Sequence, residues 1–189
     1  MRQRAIYLSP WRIDLTVREG IDPPTRVSRL AGTAAVALEA AAAPSPASIG
    51  LILSDDDELA QLNAEHMGGD GPTDVLSFPL LPPSSFPRHP GGPAAARRSS
   101  EDRRSPSEPA FVAPPGSRLH LGDIVISVER AIAQAVDGRG GQTGDVRWSA
   151  SSELRLLVAH GVLHLCGWDH ADPVEESAMR ALEQRILGE

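Results

Sequence analysis

Three of the chain's six histidines fall within eleven residues, in the segment H160-G-V-L-H-L-C-G-W-D-H170. On a helix that advances about 100° per residue, His160 and His164 stand one turn apart on nearly the same side, the spacing two imidazoles need to bind one ion. Gly167 can take a positive φ and turn the chain back, so that His170 arrives as a third ligand from outside the helix. Three protein ligands leave a fourth position open, and an open position marks a catalytic zinc site, because structural sites close with four side chains. One Zn2+ per chain is therefore expected on His160, His164 and His170.

The same i, i+4, i+10 spacing with a glycine at i+7 occurs in the metzincin proteases, H-E-x-x-H-x-x-G-x-x-H. Those enzymes carry at i+1 the glutamate that activates water, and this chain has Gly161 there. Peptide hydrolysis is disfavoured without that base. Cys166 lies 200° round the helix from His164 and reads as a small buried thiol facing away from the ion. Asp169 has two readings: acceptor for a liganding imidazole, or cap of the turn. Trp168 reads as packing rather than as a platform for a base.

The elements that position these residues follow from periodicity. Residues 6–18 read as a first strand, and a helix begins after Pro24 with Val27, Leu30, Ala31, Ala34 and Leu38 on one face, ending before Pro44. Residues 48–54 form a short apolar strand, and Asp55 caps a helix reaching about His66. Residues 73–79 and 121–127 read as strands, the second followed by a helix capped at Ser127 and stopped near Asp137 and Gly138. Residues 149–166 carry Leu154, Leu157, Val158, Gly161 and Leu165 on an apolar face. A last helix starts with Asp172 as N-cap, Pro173 at the first position and Glu175 where a capping box places it, and runs to about Leu187. The expected class is α+β: a small mixed sheet packed against helices, in one domain over 1–189, with the metal on a helix of the C-terminal half.

Residues 82–117 hold nine prolines and seven serines in 36 positions, with five arginines. Such a composition cannot bury enough surface to offset its ordering entropy, so a disordered insertion is expected there, either idle or an arginine-bearing arm for RNA. No apolar run approaches the roughly 18 residues of a membrane span, and Pro10, Arg12 and Asp14 interrupt the N-terminal segment before a signal-peptide core forms. A cytoplasmic protein with no membrane partner is the expectation, in keeping with a single cysteine. The net charge of −7 and pI near 5.4 repel nucleic acid in bulk, so an RNA substrate requires local arginines. All 18 basic residues are arginine.

The string HGVLHLCGWDH resembles the H-G-x-L-H-L-x-G-[YW]-D-H pattern of the YbeY family of endoribonucleases, or ribosomal-RNA maturation factors. GPTDVLSFP (71–79) is similar to that family's T-D-V-L-S-F-P block, LGDIVIS (121–127) to its L-G-D-I-x-I-S strand, and AMRALEQRIL (178–187) to its final helix. The resemblance implies a zincin-like fold, zinc on the three histidines, and cleavage of single-stranded RNA at the 3′ end of small-subunit (16S) rRNA, with a part in ribosome quality control. The implied partners are rRNA, the small ribosomal subunit and ribosome-associated proteins. One departure stands out. The family places an arginine implicated in activity shortly after the asparagine of L-N-x-x-x-R, and here Asn63 is followed by Met67. Charge on the phosphate must then be met by the metal and another donor, for which Arg118, Arg147 and Arg155 are candidates because they flank matched segments. Met67 itself is expected to line the cleft rather than the core. Two alternatives to an endoribonuclease remain: a non-catalytic ribosome-assembly factor stapled by its metal, and a zincin-type metalloprotease.

Overall fold

The computed structural model describes residues 1–87, 118–141, 147–170 and 173–188. Strands β1 (Arg2–Leu8) and β2 (Trp11–Val17) precede helix α1 (Val27–Ala40). Strand β3 (Ala47–Ser54) leads to helix α2 (Asp56–Leu62) and a π-helical turn, Asn63–Met67. Strands β4 (Val75–Pro79) and β5 (Leu119–Ser127) follow, then helices α3 (Val128–Val136), α4 (Ala150–Leu165) and α5 (Pro173–Leu187). The sheet runs β1-β2-β3-β5-β4, with β2, β3 and β5 mutually parallel and the outer strands β1 and β4 antiparallel to their neighbours. This is the expected α+β, zincin-like architecture.

The expected strand over 6–18 is two strands. Proline has no N–H to give to a ladder, and the chain turns at Ser9 and Pro10 into a hairpin that pairs Leu8 with Trp11. In β2 the period of two is strict: Trp11, Ile13, Leu15 and Val17 are buried while Arg12, Asp14 and Thr16 keep contact with solvent. The central strand β3 is buried along almost its whole length, as suits a strand paired on both sides and covered on both faces. Asp55 and Ser127 cap their helices as expected, accepting from the Glu58 and Arg130 backbone N–H groups. The helix expected to reach His66 becomes π-helical at Asn63, and Gly68 ends it in the left-handed conformation.

The core lies between the sheet and α1, α4 and α5. Helix α4 is its axis. Leu154, Leu156, Leu157, Val158, Ala159, Val162, Leu163 and Leu165 are all buried, so the helix is apolar round most of its circumference, more than the single face read from the sequence. Burying each leucine contributes about 1.5–3 kcal/mol. The segment expected to stay unfolded from residue 82 does not do so at its start: Pro83–Ser85 form a 3-10 turn and Phe86 is fully buried in the core. An aromatic ring can supply the burial that the surrounding prolines and serines lack. The rest of that insertion, and the Asp172 cap, lie outside the described residues.

Gly161 brings α4 down onto the sheet. A Cβ there would stand 2.7 Å from Ile124 Cγ2 and 3.2 Å from Val75 Cγ2, and Ser77 Oγ donates to the Gly161 carbonyl at 3.0 Å. Gly161→Ala should therefore push α4 off β4 and β5 and destabilise the protein by about 1–3 kcal/mol, seen as a melting temperature lowered by several degrees; an unchanged melting curve would contradict this packing.

Candidate metal centre

The last turn of α4 and the loop after it build the site. His160 and His164 project from one side of the helix, and their Nε2 atoms are 3.0 Å apart. Cys166 ends the helix, and Gly167 at φ 84° reverses the chain. A side chain at Gly167 would also collide with Pro83, 2.7 Å from the Cβ position. The reversal returns His170, whose ring stacks 5.8 Å from that of His160 and meets that of His164 edge-on at 5.1 Å. One nitrogen from each of His160, His164 and His170 lies within 4.8 Å of the other two.

The donor chemistry fits a cation. His160 Nδ1 is 2.8 Å from Glu183 Oε1, and a carboxylate accepts there, so the proton sits on Nδ1 and the Nε2 lone pair points at His164. Burial first, then the neighbouring His160 and His170, push the His164 imidazole down to about 4, so it is neutral and also offers a lone pair. With the proton of each ring on Nδ1, the two Nε2 lone pairs face each other at 3.0 Å, an arrangement that a cation between them favours over the His164-to-His160 hydrogen bond the other tautomer would make. A tetrahedral ion at the ordinary Zn–N distance of about 2.0–2.1 Å would take both lone pairs.

A cavity of about 410 Å³ opens beside the triad, touching His160 and His170 and lined further along by Asp74, Arg139, Glu153, Arg180 and Glu183. Glu153 forms its floor two helical turns before His160. One carboxyl oxygen of Glu153 accepts from the Gly140 N–H at 3.0 Å and from the Trp148 indole. Its other oxygen is buried with no partner among the described residues, and burial raises its carboxyl above the usual range. Arg139 lies 3.8 Å from Glu183 and with its Cζ 5.6 Å from the centre of the Trp148 ring. Arg180 pairs with Glu176 at 2.6 Å. Acids outnumber arginines around this space, which suits a divalent cation and disfavours a phosphate until that cation is bound.

Of the other residues singled out in the sequence, Asp169 accepts with its Oδ1 from the His170 backbone N–H at 2.7 Å, and the same oxygen lies 3.5 Å from His170 Nδ1. The first contact is a strong hydrogen bond and the second too long for one, so the turn cap prevails. Glu175 accepts from the Asp169 N–H at 2.9 Å and so pins the same loop. Cys166 is buried, with its thiol pushed up to about 12 by burial, and Trp168 belongs to the core, as expected.

The structure does not bring the three candidate arginines to the cavity. Arg155 turns to α1, its Nε donating to Thr33 Oγ1 at 3.2 Å. Arg118 donates to the Pro10 carbonyl at 2.6 Å, beside the first hairpin. Arg147 is exposed and not part of the lining. Arg139 and Arg180 stand there instead. Met67 is 52% exposed, so it is not a core residue, but it does not line the cavity. Its neighbour His66 packs edge-on against Phe78, on the side of β4 away from Val75 and Ser77, which face Gly161. Met67→Arg is therefore expected to leave the melting temperature unchanged, within about 0.5 kcal/mol of stability, and to alter any RNA cleavage by less than about threefold, because a charge outside the cavity acts only through screened solvent. A rate gain of about tenfold would instead put this side chain against the phosphate.

Comparisons with known proteins agree with this geometry. A family model described as endoribonuclease YbeY matches residues 21–189. A protein of Salinispora tropica named endoribonuclease YbeY is 45% identical over 141 residues, 75% of this chain and 73% of that protein. Its namesake in Roseiflexus castenholzii is 38% identical over 144 residues, 76% of this chain and 70% of the other. In Chloroflexus aurantiacus the identity is 34% over 178 residues, with 94% of each chain covered. With the family model spanning the triad and nearly the whole fold, this chain belongs to the endoribonuclease YbeY family.

Proposed function

We propose that the chain is a metal-dependent endoribonuclease that cuts single-stranded RNA in the late maturation of the 3′ end of small-subunit (16S) rRNA, and that it serves ribosome quality control in the cytoplasm. The observation that carries the reading is the three-histidine cluster facing a cavity with two arginines in a chain of this family. No described helix is long and apolar enough to cross a membrane. His160, His164 and His170 would hold a zinc ion, one per chain. Such an ion polarises a phosphoryl oxygen or lowers the pKa of a bound water from 15.7 to about 7.

The chain's own residues do the rest. Glu183 holds His160 in one tautomer and orientation. Arg139 and Arg180 are placed to donate to a phosphate beside the triad, a part that bidentate guanidinium groups suit, and they take the place proposed from sequence for Arg118, Arg147 and Arg155. Glu153 is shielded from water at the cavity floor, and burial raises its carboxyl, which lessens its repulsion of a phosphate.

Gly161 weakens the protease alternative further, since no glutamate fits between α4 and the sheet without displacing Ile124. The assembly-factor alternative, in which the metal only staples the fold, gains little from Met67, because that side chain does not line the cavity. The two are separated in cells depleted of this protein: restoring the wild-type chain should convert 3′-extended small-subunit rRNA to the mature end, mapped by sequencing, and His160→Ala should leave the extension. Correct maturation by His160→Ala would favour the non-catalytic reading.

A further inference from the structure

On the sheet face turned away from α1 and α4, the cross-strand registers line up four polar or aromatic residues in one row. Tyr7 faces Arg12, Arg12 faces Ser48, and Ser48 faces His120, across β1, β2, β3 and β5. At about 4.8 Å between strands the row is about 14 Å long. The row deeper in, Ala5, Asp14, Gly50 and Asp123, is small or acidic until it reaches Phe78 on β4. Phe78 joins Ile52, Val125 and Leu76 of the third row in an apolar patch that α2 covers through Leu59 and Leu62. No described element covers the first row.

Tyr7, Arg12 and His120 keep contact with solvent, while Ser48 between them is buried. Tyr7, the chain's single tyrosine, is 62% exposed. The guanidinium carbons of Arg12 and Arg118 lie 5.7 and 5.8 Å from its ring centre. Arg12 is also tied to Asp14 at 2.8 Å, and Arg118 to the Pro10 carbonyl, so both are held in place beside the ring. His120 bridges Ser48 and Asp123, 3.2 Å from each, with its side chain 39% exposed. An apolar partner would find little here to bury, and an acidic peptide has no planar bases to stack on the exposed Tyr7 ring. A flexible polyanion with planar bases fits better. Bases stack on an exposed aromatic or on guanidinium planes, and phosphates run along the outer row, away from the acids.

We infer that this row, on the sheet face turned away from α4 and its histidines, is a docking platform for single-stranded RNA, separate from the cleaving site. The inference rests on the proposed RNA substrate and adds to it. It gives an acidic protein a place to hold the strand, and it gives Arg118 an RNA role at a different site from the one its sequence position suggested. Because β5 begins at this row and packs Gly122 against Leu165 at the end of α4, the platform and the triad sit at the same end of the molecule.

The test measures binding of a short, unstructured, fluorescently labelled oligoribonucleotide to the full chain carrying His164→Ala, so that the RNA stays intact. Wild-type protein in chelator serves as a second background, and circular dichroism verifies folding. Adding Tyr7→Ala should weaken binding roughly tenfold, as expected for a lost stacking platform, while Tyr7→Phe keeps it. Arg118→Gln should lower the slope of log affinity against log salt by about one phosphate. If Tyr7→Ala binds within about twofold of its parent in both backgrounds, the platform is wrong even where the wild type cleaves RNA. If the parent binds no RNA and the wild type cleaves none, the RNA reading fails with it.

Discussion

His164→Ala should leave the protein with less than about a tenth of a metal ion per chain where the wild type holds about one, and should abolish RNA cleavage. Three ligands are the minimum set of a catalytic zinc site. His164 is partly buried and its imidazole is pushed down to about 4 by that burial, so it is neutral and able to give a lone pair to a cation. Loss of even an outer partner of a ligand typically weakens metal binding 10–100-fold, and loss of the ligand itself should exceed that. His66→Ala is the matched control. It removes a histidine that packs on Phe78 away from the triad, and it should keep full metal. Metal analysis after dialysis decides the matter, and full occupancy in His164→Ala would mean that the ion sits elsewhere.

Glu183→Ala should lower metal affinity by about 10–100-fold, although Glu183 touches no metal. Glu183 is 7% exposed and its Oε1 is the partner of His160 Nδ1 at 2.8 Å. Truncation leaves that N–H without an acceptor, frees the ring to turn, and strips Arg139 of the carboxylate 3.8 Å away. Glu183→Gln keeps an oxygen for His160 and should recover most of the affinity. A competition titration against a chromophoric chelator reads all three proteins. Equal affinity in Glu183→Ala and wild type would show that His160 needs no partner to bind.

The triad could be read from the sequence because its geometry is local. Helical period places His160 against His164, and a glycine three residues beyond is the natural device for bringing His170 back. Glu183 is 23 residues from the imidazole it holds, and its position depends on how α5 crosses α4. A trace was present nonetheless. Met179, Glu183 and Ile186 occupy the buried stripe of α5, and an acid in such a stripe signals a buried partner. Arg139 and Arg180 carried no local mark, and candidates chosen for their nearness to matched segments turned elsewhere: Arg155 towards α1 and Arg118 towards the first hairpin. The hairpin at Pro10 was missed in a single expected strand over 6–18, although the missing N–H of proline marks the break. Phe86 was hidden by the prolines and serines around it, because composition averages over a segment and burial is decided by single side chains. The row from Tyr7 to His120 exists only through the order β1-β2-β3-β5, in which Ser48 pairs with His120, 72 residues on, and no periodicity reports that.

The central claim is that this metal centre cuts single-stranded RNA. Its most direct measurement incubates the purified full chain with a single-stranded fragment spanning the 3′ end of small-subunit rRNA, first as isolated, then after chelation, then after zinc is restored, and maps the product ends. Internal cuts should vanish on chelation, return with zinc, and be absent with His160→Ala or His164→Ala. Cleavage that persists unchanged in the chelated protein and in both histidine variants would contradict the claim.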